Sequence, residues 1–166
     1  MNNEMLELLS QIACQLKVRG QTVAVAESCT GGLLGAAFTE LPGSSAYFTG
    51  GVLAYDNAVK TDVLGVSHEA LLAYGAVSEE VASEMALGAR KLFGSDWALS
   101  TTGIAGPDGG SPEKPVGTVW IGLADCDGVF SRVLHLSGMR SAVRTETVRA
   151  ILEMLLETIT APESDL

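Results

Sequence analysis

TVAVAESCTGG, the stretch from Thr22 to Gly32, predicts a buried strand that turns directly into a helix. The apolar run up to Glu27 has the length and composition of a strand that is covered on both faces. The segment that starts at Ser28 supplies a turn, and the apolar residues beyond it predict a helix to about Glu40. A strand, a tight turn and a helix in this order indicate an α/β fold.

The rest of the chain continues this alternation. Further strands are predicted over 50–55, 97–101, 118–124 and 129–136, and further helices over 1–18, from the N-cap Ser78 to the closing Gly94, and over 141–159. Asp127-Gly128 between the last two strands predicts a hairpin. We therefore expect a single-domain α/β/α sandwich with a mixed sheet over residues 1–160, followed by an acidic tail over 161–166.

The charge of the chain limits its partners. Ten basic against twenty acidic residues give a formal net charge of -10. A nucleic-acid duplex or an anionic membrane surface would be repelled, so neither is expected as a partner. Phosphate on a small-molecule substrate would have to meet positive charge locally.

The cysteines and the first helix indicate a cytoplasmic protein. Cys14, Cys29 and Cys126 are odd in number and widely spaced, which fits neither a disulfide framework nor a zinc site. The first 18 residues have helical spacing with acidic interruptions, unlike a signal peptide. No apolar run approaches the roughly 20 residues that cross a bilayer.

Ser28 is the first candidate for chemistry, because it lies where a strand ends and a helix begins. Main-chain N–H groups converge there and can bind an anion or an oxyanion. The structural alternative is that Ser28 or Thr30 only caps the helix. A serine nucleophile needs a base, and neither His68 nor His135 has a setting that predicts a catalytic triad.

Lys60 and Tyr55 offer a different base for Ser28. Tyr55 follows a predicted strand and Lys60 lies five residues later, so both can face the tip of a neighbouring strand. A partly desolvated lysine loses its proton near neutral pH and can then accept the proton of a hydroxyl. The alternative is an ordinary solvated lysine beside an edge tyrosine.

Two further segments can bind a ligand. The glycine-rich loop that begins at Thr101-Thr102-Gly103 can approach a phosphate closely, although such loops also serve as plain connectors. Arg140 would add positive charge at the start of the last helix, or form an ordinary surface ion pair.

Five segments together resemble the CinA C-terminal domain family. They are AESCTGG at 26–32, PGSSAYFTGGVLAYDNAVK at 42–60, GAVSEEVASEMA at 75–86, TTGIAGPDGG at 101–110 and KPVGTVWIGLA at 114–124. Stand-alone members of this family resemble nicotinamide mononucleotide amidases of the PncC type. The resemblance implies that the chain is a stand-alone amidohydrolase domain that converts nicotinamide mononucleotide to nicotinic acid mononucleotide and ammonia.

The resemblance also implies roles for individual residues. Ser28 would be the nucleophile, with Tyr55 and Lys60 as its activating partners, and no metal or cofactor would be needed. Main-chain N–H groups of residues 29–32 would stabilise the oxyanion. The expected substrate-binding residues are Thr30, Gly31, Gly32, Ser44, Thr102, Gly103, Ala105, Gly106 and Arg140. Met139 departs from the family pattern, which has an acidic or amide residue before this arginine, and this departure puts the orientation of Arg140 in question.

Three alternatives stay open from the sequence. Cys29 is a rival nucleophile, because a thiol at a helix N-terminus can have a lowered pKa. The chain could instead be a non-catalytic domain that binds a nucleotide or a partner, or an amidase for a different amide. The apolar first helix and open strand edges favour a homodimer or a higher homo-oligomer.

Overall fold

The computed structural model describes residues 2–161 and contains a five-stranded sheet between two layers of helices. The strands are β1 (Val23–Glu27), β2 (Phe48–Leu53), β3 (Trp97–Gly103), β4 (Thr118–Ala124) and β5 (Val129–His135). The helices are α1 (Asn3–Arg19), α2 (Leu33–Thr39), α3 (Asn57–Asp62), α4 (His68–Tyr74), α5 (Glu79–Phe93) and α6 (Arg140–Thr160).

The sheet is mixed, as predicted. Its strand order is β2-β1-β3-β4-β5. β1 runs parallel to β2 and β3, whereas β4 is antiparallel to both β3 and β5. The carboxyl ends of the three parallel strands therefore meet at one edge of the sheet, where the segments that follow β1, β2 and β3 come together.

Side-chain alternation along β1 divides the core in two. Val23 and Val25 face a large apolar cluster with α1, α2 and α6, whereas Ala26 faces a smaller cluster with α4 and α5. The helix α5 lies very close to the sheet, because Ser100 Oγ donates a 2.6 Å hydrogen bond to the carbonyl oxygen of Ala82. Gly122 of β4 belongs to this contact, because a Cβ there would lie 2.8 Å from the carbonyl oxygen of Ala82.

The predicted α/β/α sandwich is confirmed, with small differences at element ends. Ser78 and Gly94 cap α5 as expected. β2 begins at Phe48 rather than at residue 50, because Phe48 pairs with Val23 of β1. The predicted acidic tail falls outside the described residues from position 162 onward, so the boundary between the domain and the tail stays a prediction.

Candidate active site

The turn after β1 presents Ser28 on the α3 side of the sheet. Glu27 and Ser28 point to opposite faces, because side chains alternate along a strand. The N–H of Ser28 donates to the carbonyl oxygen of Thr101 at 2.9 Å, which fixes the start of the turn against β3. Gly31 and Gly32 have φ values of +57° and +97°, which only glycine adopts without strain, and they bring the chain into α2.

Lys60 reaches Ser28 from α3. The side chain is 1% exposed, and its Nζ lies 3.2 Å from Ser28 Oγ, 2.7 Å from the carbonyl oxygen of Ala54 and 3.3 Å from that of Tyr55. The Asp56 side chain caps α3 by accepting a 2.8 Å hydrogen bond from the N–H of Ala58, which fixes the helix that carries Lys60.

Burial of Lys60 shifts its proton equilibrium towards the neutral amine. Burial lowers the pKa of Lys60, and the nearby Asp56 carboxylate opposes this effect without cancelling it. A neutral amine has two N–H groups and one lone pair. In the charged form Nζ donates to Ser28 Oγ and to the carbonyl oxygens of Ala54 and Tyr55; in the neutral form the two carbonyl oxygens, which can only accept, take the two N–H groups and leave the lone pair for the hydroxyl of Ser28.

Tyr55 enters the site differently from the prediction. Its side chain is 65% exposed, and the phenol accepts a 3.3 Å hydrogen bond from Arg140 Nη2. Among residues 2–161, no hydrogen bond joins this phenol to Ser28 or Lys60. The main-chain carbonyl of Tyr55, rather than its side chain, contacts the lysine.

These residues surround one cavity of about 200 Å³ at the carboxyl edge of the parallel strands. The predicted site residues that line it are Ser28, Tyr55, Lys60, Thr102, Gly103, Ala105 and Arg140. Asn57, Ala76 and Val77, for which the sequence predicted no role, also line the cavity. Asn57 lies three residues before Lys60 in the quoted YDNAVK segment. Its position on the same short helix as Lys60 was the sequence feature that could have predicted its place in the site. A larger groove of about 680 Å³ beside α5 shares no lining residue with this cavity.

The remaining predicted binding residues do not line the cavity. Gly106 supports its wall, because its carbonyl oxygen accepts a 2.9 Å hydrogen bond from Arg140 Nη1. Ser44 lies in a 3₁₀ turn just before β2, at the end of the sheet opposite to Ser28. Thr30 is fully buried, and its hydroxyl donates to the Glu27 carboxylate at 2.6 Å.

The expected oxyanion site in residues 29–32 needs a correction. The N–H of Gly32 donates to Glu27 Oε2 at 3.0 Å, and the N–H of Gly31 donates to the carbonyl oxygen of Ser28 at 3.2 Å. Neither group is free to bind an oxyanion. The sequence pattern predicted no role for Glu27, although this residue directly precedes Ser28 in the stretch quoted first.

The surroundings of Cys29 raise the pKa of its thiol, whereas a reactive thiol has a lowered pKa. The side chain is 6% exposed, and burial raises its pKa to about 11. The Arg144 guanidinium lowers this pKa and the Glu27 carboxylate raises it, both by less than burial does. The thiol therefore stays protonated near neutral pH, which argues against Cys29 as the nucleophile.

Two structural features are absent from residues 2–161. No group of three or more histidine, cysteine, aspartate and glutamate side chains is arranged to hold a metal ion. In the same residues, no helix combines the length and the apolar character that crossing a membrane requires.

The family model of the CinA C-terminal domain matches residues 5–159. The chain belongs to the CinA C-terminal domain family. A relative in Enterobacter agglomerans, the nicotinamide-nucleotide amidohydrolase PncC, is 52% identical over 151 residues, which are 90% of this chain and 92% of that protein. The crystal structure of the competence/damage inducible protein CihA from Agrobacterium tumefaciens superposes with a TM-score of 0.93 at 40% identity, covering 97% of this chain and 98% of that one.

Other relatives are longer than this CinA-domain chain. The CinA-like protein of Synechocystis is 55% identical over 133 residues, which are 80% of this chain and 32% of that protein. The chain thus spans about a third of the length of this relative and of a 55% identical protein from Desulforudis audaxviator.

Proposed function

We propose that this chain hydrolyses the carboxamide of nicotinamide mononucleotide to nicotinic acid mononucleotide and ammonia. The 3.2 Å contact between Lys60 Nζ and Ser28 Oγ carries the proposal, because it supplies a base to a hydroxyl without a histidine. The name of the Enterobacter agglomerans relative supports the substrate, since that protein is 52% identical over nearly its whole length.

The reaction begins when Ser28 Oγ attacks the carboxamide carbon and its proton passes to the lone pair of Lys60. Lys60 then returns this proton to the amide nitrogen, the C–N bond breaks, and ammonia leaves. Water attacks the resulting ester and gives a proton to Lys60. The C–O bond to Ser28 breaks, the serine regains its proton, and the carboxylic acid product is released.

The oxyanion would be stabilised by the main-chain N–H groups of Cys29 and Thr30. Among residues 2–161 neither N–H donates a hydrogen bond, whereas the N–H of Gly31 donates to the carbonyl oxygen of Ser28 and that of Gly32 donates to Glu27 Oε2. One donor of this kind typically lowers the barrier by about 3 kcal/mol.

Thr102 supports a primary carboxamide as the reacting group. Its hydroxyl donates a 2.7 Å hydrogen bond to the carbonyl oxygen of Ala76, so towards the cavity it can act only as an acceptor. A primary carboxamide carries two N–H donors that match such an acceptor, whereas an ester or a carboxylate carries none.

The size of the cavity supports a binding mode in which only part of the nucleotide is enclosed. About 200 Å³ is less than the roughly 300–1,000 Å³ that encloses a drug-sized ligand. We therefore place the pyridine ring and its carboxamide inside, and the ribose phosphate at the mouth. The net charge of -10 disfavours the binding of a phosphate group. Arg140, which lines the cavity, supplies local positive charge that attracts the phosphate.

The test is ammonia release from nicotinamide mononucleotide. We expect Ser28→Ala and Lys60→Met to abolish turnover and Cys29→Ala to retain it. Normal turnover by Ser28→Ala, with loss in Cys29→Ala, would make the thiol the nucleophile. Nucleotide binding by the wild type without any ammonia release would support the non-catalytic binding domain instead.

The phosphate site is tested with a second substrate. Nicotinamide riboside carries the same carboxamide without the phosphate, so a phosphate site predicts strong preference for the mononucleotide. Equal kcat/KM for both would favour an amidase for a different amide.

We also propose a cytoplasmic protein that forms a homodimer or a higher homo-oligomer and binds no nucleic acid. The net charge of -10 supports the absence of nucleic-acid binding, and the unpaired edge of β2 supports self-association. Sedimentation at two protein concentrations checks the oligomer, and a gel-shift assay with duplex DNA checks the charge argument.

A further inference from the structure

Glu27 is a buried carboxylate immediately before the proposed nucleophile. It is 1% exposed, and it accepts four hydrogen bonds. Oε1 accepts from the N–H of Gly35 at 2.8 Å. Oε2 accepts from Thr30 Oγ1 at 2.6 Å and from the N–H groups of Gly32 and Leu34, each at 3.0 Å. All four donors lie in the turn after Ser28 and the first residues of α2.

This arrangement differs from the other helix caps of the chain. α1, α3, α4 and α5 are capped by the side chain of the residue at the N-cap itself. The N-cap of α2 is Gly32, whose φ of +97° disfavours any side chain. The Glu27 carboxylate, at the end of β1, accepts hydrogen bonds from the N–H groups at the start of α2 in place of an N-cap side chain. Ser28 lies in the chain between Glu27 and these N–H groups.

Glu27 is also fixed through its main chain. Its carbonyl oxygen accepts a 2.7 Å hydrogen bond from the N–H of Ala54, the residue whose own carbonyl oxygen binds Lys60 Nζ at 2.7 Å. The N–H of Ser28 is held by the carbonyl oxygen of Thr101. The position of Ser28 is therefore fixed in two ways. The main chain of Glu27 and Ser28 is hydrogen-bonded to Ala54 and Thr101, and the Glu27 side chain is hydrogen-bonded to the start of α2.

We propose that Glu27 is a positioning residue that sets the distance between Ser28 Oγ and Lys60 Nζ by holding the start of α2. This inference rests on the proposed function, in which Ser28 is the nucleophile. Glu27 does not line the cavity, so it acts on the reaction only through the turn. The same bonds occupy the amides of Gly32, Leu34 and Gly35 and so exclude them from binding the oxyanion.

Glu27→Gln tests the role with little change in size. An amide has one acceptor oxygen and one NH₂ donor, so the NH₂ group must face N–H groups that also donate. We expect kcat to fall by about 100-fold, the cost of a misplacement of about 1 Å, with KM within about twofold of the wild type. The pH midpoint of activity should stay the same, because Glu27 does not itself transfer the proton.

A matched control separates positioning from simple loss of a helix cap. Ser67 caps α4 by accepting a 3.1 Å hydrogen bond from the N–H of Ala70, and it does not line the cavity. Ser67→Ala should lower the Tm and leave kcat unchanged. The competent fraction of each variant is counted from the stoichiometry of nicotinic acid mononucleotide binding, so kcat is expressed for each folded site.

The outcomes are distinguishable. Wild-type kcat for each competent site in Glu27→Gln overturns the positioning role while the proposed function stands. Absence of ammonia release by the wild type overturns the proposed function and this role with it. If Glu27→Gln does not fold, Thr30→Val is the second variant: it removes the 2.6 Å bond to Oε2 together with the 2.8 Å hydrogen bond between the hydroxyls of Thr30 and Thr101. Unchanged kcat in that variant overturns the role as well.

Discussion

Replacing Lys60 with methionine should remove a pH dependence from the free energy of unfolding and should abolish activity, which in the presence of Lys60 rises with pH. Lys60→Met keeps an unbranched apolar side chain in a site that is 1% exposed, and it removes only the amine. In the folded protein burial lowers the pKa of Lys60, so it lies below the value of about 10.4 that lysine has in an unfolded chain.

The sign of the effect follows from proton binding. Between the folded and the unfolded pKa of Lys60, the unfolded chain binds a proton that the folded chain does not. The free energy of unfolding therefore rises with pH across this window, by at most about 1.4 kcal/mol per pH unit for one proton. Activity rises in the same direction, because only the neutral amine can accept the proton of Ser28.

Titration of Cys29 changes the free energy of unfolding with pH in the opposite direction to Lys60. The thiol therefore has to be replaced before the effect of Lys60 is measured. Burial raises its pKa from 9.0 to about 11, so the stability it contributes is present below pH 9 and is lost as the pH rises towards 11. Cys29→Ala is therefore the reference background. The comparison is between Cys29→Ala and the double variant Cys29→Ala/Lys60→Met.

The assay is urea unfolding, followed by circular dichroism at several values between pH 7 and pH 10. We expect the free energy of unfolding to rise with pH in Cys29→Ala relative to the double variant, and kcat/KM of Cys29→Ala to rise over the same range. Lys91→Met, which removes an exposed lysine of α5, should leave the pH dependence unchanged. Equal pH slopes with and without Lys60 would refute a lowered pKa and the neutral base that depends on it.

Three further substitutions test separate features. Tyr55→Phe should lower kcat/KM by no more than about fivefold, because it removes one exposed hydrogen bond of about 1 kcal/mol; near-complete loss of turnover would restore an acid–base role for the phenol. Arg140→Met should raise KM for the mononucleotide by about 10-fold or more and leave that for the riboside unchanged, as steady-state kinetics will show. Gly88→Ala should lower the Tm despite the better helix propensity of alanine, because the new Cβ would lie 1.9 Å from the carbonyl oxygen of Leu64; an unchanged melting curve contradicts this contact.

The sequence predicted the sheet because its strands carry strong local signals. The apolar run before Ser28 and the caps at Ser78 and Gly94 depend on short-range patterns, and the structure has these elements within a few residues of the prediction. The sequence predicted that Ser28, Tyr55 and Thr102 follow or end strands, and the parallel pairing of β1 with β2 and β3 in the structure brings them to one edge of the sheet. The specific roles came from the family resemblance rather than from spacing.

The hydrogen bonds of the site depend on distances between separate elements, which no local pattern contains. Tyr55 and Arg140 are 85 positions apart, and only the packed fold joins the phenol to this guanidinium rather than to Lys60. Burial of Lys60 and Cys29 moves their pKa values in opposite directions because each loses water on folding, and water loss disfavours the charged form of either group. The four bonds to Glu27 likewise form only after α2 has packed against β1. The sequence by itself thus determined which elements exist and which turns carry the chemistry, whereas the tertiary structure brought these turns to one edge of the sheet and decided which donor meets which acceptor there.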